Sequence, residues 1–297
     1  MLCVKYLIPV SDTNSGPVAP TPASLVRAPD GRLRSSGVAY ADQWPVDLGT
    51  AAVIKSIRKG GGSWRSVTVF SEIASTNTVG VALASAGCPT GVVLVTDLQT
   101  AGRGRLDRDW EAPAGTSAMF SVVLIPHGPE HEWGVLPLLA GVAVCEALEF
   151  VTGIRASLKW PNDLVIRAED APSGRGGKVG GILAEPDLPV PGATSLTLAG
   201  ASRPRRAKLI GRALSRIEHW FTAWEAVGTD AASLDRLLDS YRERCVSIDA
   251  PLSVARPGAE DLVGTGVGIA PNGALLVDSE GTQVAVVVGD VTHAVTT

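Results

Sequence analysis

Gly91-Val92-Val93-Leu94-Val95-Thr96-Asp97 runs through Leu98 into Gln99-Thr100-Ala101-Gly102-Arg103-Gly104-Arg105-Leu106-Asp107-Arg108-Asp109-Trp110. The first stretch is almost continuously apolar over strand length, which predicts a β-strand buried on both faces. The second alternates guanidinium groups with glycines directly after that strand. Glycine lets backbone approach a ligand closely, and arginine offers a fork of donors suited to carboxylate or phosphate. Trp110 adds a flat face on which a base can stack. A solvated basic turn has the same composition, so the loop alone leaves both readings open. The G-x-x-x-x-G-K-[ST] spacing of a Walker A loop is absent.

Working outward, residues 65–72 alternate as a strand, and Ser75-Thr76-Asn77 stands where a helix N-cap belongs, before a helix over 78–86. A short helix over 49–58 closes on Gly60-Gly61-Gly62. Downstream the pattern predicts a strand at 117–125, a long Ala/Leu/Val helix at 134–151 and a short strand at 156–160. Strands near 163–167 and 178–184 form a hairpin punctuated by Gly176 and Gly177, and helices follow at 203–226 and 231–243. From residue 247 onward, Val-rich segments alternate with Pro257-Gly258, Asn272-Gly273 and Glu280-Gly281 turns, as in a small all-β barrel. Residues 1–46 carry Pro9, Pro17, Pro20, Pro22, Pro29 and Pro45 among Ser, Ala and Gly. They read as a disordered or loosely attached tail without room for a helix-turn-helix module. The chain thus divides into a tail (1–46), an α+β core (47–245) and a small β domain (246–297).

Composition bounds the function. In 297 residues, 26 Lys+Arg against 30 Asp+Glu give a net charge of -4, which argues against a protein whose main task is to coat nucleic acid. A content of 45% hydrophobic and 19% charged residues excludes a disordered chain, a coiled coil and a collagen-like repeat. Cys3, Cys88, Cys145 and Cys245 form no C-x-x-C pair, so neither a zinc site nor a dense disulfide framework is expected, and a reducing cytosol is. No run approaching a membrane span and no cleavable leader is read, so a cytoplasmic protein without membrane association is expected.

Two further segments carry chemistry. Leu158-Lys159-Trp160-Pro161-Asn162-Asp163 places a cation and a carboxylate at a strand end beside a rigid proline. Gly176-Gly177-Lys178-Val179-Gly180-Gly181-Ile182-Leu183-Ala184-Glu185 brings a lysine into a strand flanked by glycines, where it could act as a fixed positive charge. Either segment alone reads equally as an ordinary strand-end turn. Together with the Gly/Arg loop they put cations beside glycines at three strand ends, the layout of a site that joins an acid to a nucleotide. Ser75-Thr76-Asn77 supplies neutral hydrogen-bonding groups at a helix start for a small polar head group.

Ser-Thr-Asn, Gln-Thr-x-Gly-Arg-Gly-Arg, Lys-Trp-Pro-Asn-Asp and Gly-Lys-x-x-Gly-Ile-Leu-x-Glu, in that order, resemble the biotin–protein ligases over residues 63–297. The resemblance implies a class II synthetase-like core, a mixed sheet packed with helices, followed by a small SH3-like β-barrel. It implies a ligase that converts biotin and Mg-ATP to biotinyl-5′-AMP, then transfers biotin to a lysine of a biotin carboxyl carrier domain. By matching motif, Ser75, Thr76, Asn77, Gln99, Arg103, Gly104, Arg105 and Lys178 would hold biotin. Arg105, Arg108, Trp110, Asn162, Asp163 and Lys178 would hold ATP, with Asp163 also near the Mg2+. Lys178, Arg105 and Arg103 would be the catalytic cations. Some members carry a DNA-binding winged helix; the Pro-rich tail does not resemble one, so no DNA partner is expected. A lipoate-type acyl ligase is a rival that the Arg-Gly-Arg and Lys-Trp-Pro-Asn-Asp segments argue against.

Two departures from the family pattern stand out. Asp107 occupies a position where the family usually has glycine, although an exposed carboxylate beside the loop arginines counts for little. More seriously, only Pro186 to Ala193 separate Glu185 from Thr194, and Pro186, Pro189 and Pro191 exclude a central strand where the family has one bearing an asparagine. The neighbouring strands would then keep unpaired backbone groups. Either the chain is a deleted ligase with impaired activity, a degenerate biotin or adenylate binder, or another segment fills the gap. Cys3-Val4-Lys5-Tyr6-Leu7-Ile8 is the candidate segment, and the composition of the tail around it weighs against that.

Overall fold

A computed structural model describes residues 2–7, 25–27, 33–35, 48–102, 110–127, 129–183, 196, 198–201, 205–226 and 231–293. The loop residues Arg103, Gly104, Arg105 and Arg108 lie outside the described residues, as does the segment 184–195.

The chain begins with strands β1 (Leu2–Leu7), β2 (Leu25–Arg27) and β3 (Leu33–Ser35), followed by helix α1 (Thr50–Lys59). Strand β4 (Ser66–Ile73), helix α2 (Thr76–Ser85), β5 (Val92–Gln99), β6 (Ser117–Val123) and helix α3 (Leu136–Thr152) come next. Then follow β7 (Ser157–Lys159), β8 (Asp163–Ile166), β9 (Gly177–Leu183), α4 (Arg206–Glu225) and α5 (Ala231–Arg242). The C-terminal part holds β10 (Pro251–Ala255), β11 (Leu262–Ile269), β12 (Leu275–Ser279), β13 (Thr282–Val286) and β14 (Asp290–His293). The fold is α+β, as expected: a seven-stranded mixed sheet, β4-β5-β6-β1-β9-β8-β7, with helices, then a five-stranded antiparallel sheet, β13-β12-β11-β10-β14.

Helix α3 is the spine of the core. Leu138 to Val144, Ala147 and Leu148 are all buried, and the helix stops where Gly153 turns left-handed (φ 73°) and its N–H caps the Glu149 carbonyl at 2.8 Å. Contrary to the sequence expectation, His131–Thr152 is by length and composition apolar enough to cross a membrane. Burial of most of its length against the sheet and α4 accounts for that composition, since a helix packed on more than one side carries apolar residues beyond a single stripe. The long α4 crosses α1 so closely that a Cβ on Gly211 would lie 2.4 Å from the Cβ of Ser56.

The main correction concerns the N-terminus. Residues 2–7, read as part of a loose tail, form β1 in the middle of the sheet. Leu2 to Leu7 run antiparallel to Val122 through Ser117 of β6, and Cys3 to Tyr6 antiparallel to Leu183 through Gly180 of β9. The physical reason lies in the sheet, not in the tail's average composition. Without a neighbour, β6 and β9 would each bury a row of backbone donors and acceptors with no partners. A short segment rich in strand-forming residues satisfies both rows at once, and Pro9 lies beyond it.

Candidate functional site

The first part of the site is built where β4 hands over to α2. Ser75 caps α2 by accepting the Thr78 N–H at 3.4 Å. Thr76 donates its N–H (2.8 Å) and its hydroxyl (3.1 Å) to Oε1 of Gln99 at the end of β5. Ser121 of β6 donates its hydroxyl to Thr76 Oγ1 at 2.7 Å, and Gln99 Nε2 points at Met119 Sδ, 3.6 Å away. Ser75, Thr76, Asn77, Gln99 and Ser121 are all buried. Asn77 Oδ1 is also buried and, among the described residues, has no hydrogen-bond partner. A buried acceptor left open costs about 1–3 kcal/mol, so this carbonyl is poised for a ligand donor. The structure thus brings together the four neutral residues singled out in the sequence, and adds Ser121 and Met119.

The Gly/Arg loop departs from this cluster through a pinch. Trp110 N–H donates to the Gly102 carbonyl at 2.8 Å, and a Cβ on Gly102 would lie 2.4 Å from the Trp110 carbonyl oxygen. No side chain fits at Gly102, which is why glycine stands where the loop leaves the sheet. Below it, Asp97 of β5 accepts a hydrogen bond from the Arg206 guanidinium of α4 and another from Gly115 N–H at 2.9 Å. Arg206 also donates to the Ser117 carbonyl at 3.2 Å and is 1% exposed. This buried pair, absent from the sequence reading, ties α4 to the strand and turn that carry the loop. Its signal was a carboxylate closing an apolar run.

The second part lies across the sheet. Lys178 Nζ of β9 sits 2.6 Å from Asp163 Oδ1 of β8, both largely buried. Asn162 clamps the two strands: its side-chain amide donates to the Ile182 carbonyl at 3.0 Å, and its own carbonyl accepts Ile182 N–H at 2.8 Å. Lys159 stands in register with Asp163; burial pulls its ammonium below its ordinary range, offset by Asp163 and reinforced by Lys178. Trp160 serves the C-terminal domain, with Nε1 donating to the Gly273 carbonyl at 3.0 Å and N–H to Ser247 Oγ at 3.3 Å. No group of three His, Cys, Asp or Glu able to hold a metal occurs among the described residues. Since Asp163 is engaged by the Lys178 ammonium, the described donor set does not fit a metal held by protein ligands alone.

His293 of β14 closes this side, 3.2 Å from Ser247 Oγ. Burial, then the nearby Lys159, lowers its pKa from the ordinary 6.5. The unfolded chain therefore binds the proton more readily, so stability falls as pH drops through 6.5 and levels off below the lowered value. Urea unfolding between about pH 5 and pH 8 is expected to show this acid-side loss, and His293→Gln to flatten it. An unchanged slope in the variant would remove His293 as its source.

Residues 69–188 match the Biotin/lipoate A/B protein ligase family. The chain is 34% identical over 255 residues to a biotin–[acetyl-CoA-carboxylase] ligase of Mycobacterium tuberculosis, covering 78% of this chain and 91% of that protein. It is 40% identical over 97 residues to a bifunctional ligase/repressor BirA of Bacillus spizizenii, 33% of this chain and 30% of that one. In fold it is similar to the biotin protein ligase from Aquifex aeolicus solved with biotin and ATP, with a TM-score of 0.61 at 24% identity over 78% of this chain and 99% of that one. Motif order, similarity along most of the chain and the shared mixed-sheet architecture converge: the chain belongs to the biotin/lipoate protein ligase family.

Proposed function

We propose that this chain is a biotin–protein ligase: it activates biotin with ATP and passes the biotinyl group to a lysine of a biotin carboxyl carrier domain. The observation that carries the reading is the pairing of a buried, neutral hydrogen-bonding cluster (Thr76, Asn77, Gln99, Ser121) with a sheltered lysine, Lys178, on another strand of the same sheet. From β5 to β9 is three strand spacings, about 14 Å, a distance bridged by an elongated ligand with a neutral polar head and an anionic tail. Biotin has that form. Its ureido N–H groups match the open Asn77 carbonyl, and its carboxylate lies toward the cations.

In the first step a biotin carboxylate oxygen attacks the α-phosphorus of ATP. The bond from that phosphorus to the bridging oxygen breaks, and pyrophosphate leaves with the electron pair. Lys178 stabilises the negative charge building on the phosphate and carboxylate oxygens, while Asp163 holds its ammonium in place. In the second step the carrier's lysine amine attacks the acyl carbon, AMP leaves with the electrons of the C–O bond, and the amine gives up a proton. No covalent bond to the enzyme forms; positioning and fixed charge do the work. DNA has no part in this reading. The reading of a degenerate binder rested on the absence of a strand and of the asparagine it carries; β1 takes the strand's place without bringing an asparagine, so the exchange assay below decides between the two.

Biotin-dependent exchange of labelled pyrophosphate into ATP by the purified chain, without carrier, tests the proposal. Exchange that requires biotin is expected. Biotin binding without exchange would leave a non-catalytic binder, and exchange with lipoate in preference to biotin would reassign the acyl group.

A further inference from the structure

Lys159 is the one cation of the Lys-Trp-Pro-Asn-Asp segment, and the reaction described above gives it no task. It lies on β7, an outermost strand of the seven-stranded sheet, directly opposite Asp163 of β8, which stands opposite Gly181 of β9. Residues directly opposite in a ladder share a face, so Lys159 and Asp163 stand on the face where Gly181 leaves room. Lys178 fills that room. Its Cε and Nζ come within 3.7 and 3.8 Å of where a Gly181 Cβ would sit, and Nζ reaches Asp163 Oδ1 at 2.6 Å. Asp163 is thereby committed to Lys178. Lys159, half-buried, makes no ion pair or side-chain hydrogen bond among the described residues. Burial disfavours its charge most; Asp163 then attracts it, Lys178 repels it, and Asp290 of β14 attracts it less than Lys178 repels it. The backbone on both sides of Lys159 is fixed. Leu158 donates its N–H to the Arg244 carbonyl and accepts the Val246 N–H, each at 2.8 Å, and Trp160 N–H donates to Ser247 Oγ at 3.3 Å. An ammonium on so firm a seat, partly desolvated and without a carboxylate in contact, is suited to an anion from outside the chain.

We propose that Lys159 binds the pyrophosphate leaving group of the adenylation step, on the far side of the reacting phosphorus from biotin. The proposal rests on the ligase reading for the identity of the anion. In-line displacement sets the direction, because the attacking and leaving oxygens lie on opposite sides of the phosphorus. The neutral head-group cluster stands at β5, Lys178 reaches over Gly181 to Asp163, and Lys159 lies one strand farther out, about 5 Å beyond Asp163. A biotin carboxylate that arrives from the β5 side at a phosphorus held by Lys178 therefore expels its leaving group toward β7. The bond from phosphorus to the bridging oxygen breaks, the electron pair goes to pyrophosphate, and Lys159 offsets the charge that builds there. The same ammonium has no part in the second step, from which pyrophosphate is absent.

The test uses the full-length chain with Lys159→Met and Lys159→Arg, and pyrophosphate as the probe. Loss of one charge-assisted hydrogen bond predicts pyrophosphate binding about tenfold or more weaker in Lys159→Met by calorimetry, and a comparable rise in the pyrophosphate KM of exchange. Transfer of biotin from presynthesised biotinyl-5′-AMP to a carrier domain stays near the parent rate, and Lys159→Arg recovers most of the pyrophosphate affinity. A lysine needed only for folding would slow both half-reactions together, without rescue by arginine. That result, or an unchanged pyrophosphate affinity in Lys159→Met, overturns the proposal. The parent chain gives a reading that needs no variant: saturating pyrophosphate is expected to shield Lys159 from acetic anhydride, read by mass spectrometry. Equal labelling with and without pyrophosphate overturns the proposal even if a variant fails to fold. A parent chain that binds pyrophosphate but shows no biotin-dependent exchange defeats the ligase reading, while the pyrophosphate affinities and the labelling still decide the role of Lys159.

Discussion

Lys178→Ala is expected to lower biotin-dependent pyrophosphate exchange by about 10²–10³-fold, the usual effect of removing one preorganised charge-stabilising group. The lysine is held 2.6 Å from Asp163 at the start of β9, so its ammonium is already oriented before substrate arrives. Biotin affinity should change far less than turnover, because Thr76, Asn77 and Gln99 lie on other strands and are satisfied or left open independently of Lys178. Lys178→Arg is not expected to restore full activity: a planar guanidinium pairs differently with Asp163 than a compact ammonium does. Turnover of Lys178→Ala within a few-fold of the parent would remove this residue from the chemistry and shift the charge stabilisation to the arginine loop.

Arg206→Met is expected to destabilise the folded chain by about 3–5 kcal/mol, read as a lower urea midpoint, because it strands the Asp97 carboxylate in a buried site. Among the described residues, Asp97 would keep the Gly115 N–H at 2.9 Å. Combining the change with Asp97→Asn should recover part of the loss, since the uncompensated charge rather than the missing contact is what costs most. The two single losses adding fully in the double variant would show that the residues do not act as a pair. Because Asp97 lies two residues before Gln99 and Arg206 also holds the Ser117 carbonyl, weaker biotin binding in the single variant is a second expected readout.

The local elements were legible in the residues. The apolar run at 91–97, the N-cap at Ser75 and the turn glycines at 60–62 each match an observed element within a residue or two, because caps, turns and periodicity are short-range effects. Ser75, Thr76, Asn77 and Gln99 were singled out by motif; the helix cap places the first three together, and Thr76 ties them to Gln99 of β5. Ser121 and Met119 escaped notice because a serine and a methionine within a strand carry no signal until the neighbouring helix end is in place. The N-terminal strand was misjudged because composition was averaged over residues 1–46, and the average hid a short strand-forming stretch before Pro9.

By itself, the amino-acid sequence determined most of the elements from residue 49 onward and their order, and which polar residues stand at the helix start and the strand ends. Those depend on neighbours close along the chain. Only the tertiary structure decided that Arg206 neutralises Asp97 from 109 residues away, and that β1 joins the two halves of the sheet. Pairing between distant segments is selected by what is otherwise left unsatisfied: a buried carboxylate needs a cation, and two facing rows of open backbone groups need a strand.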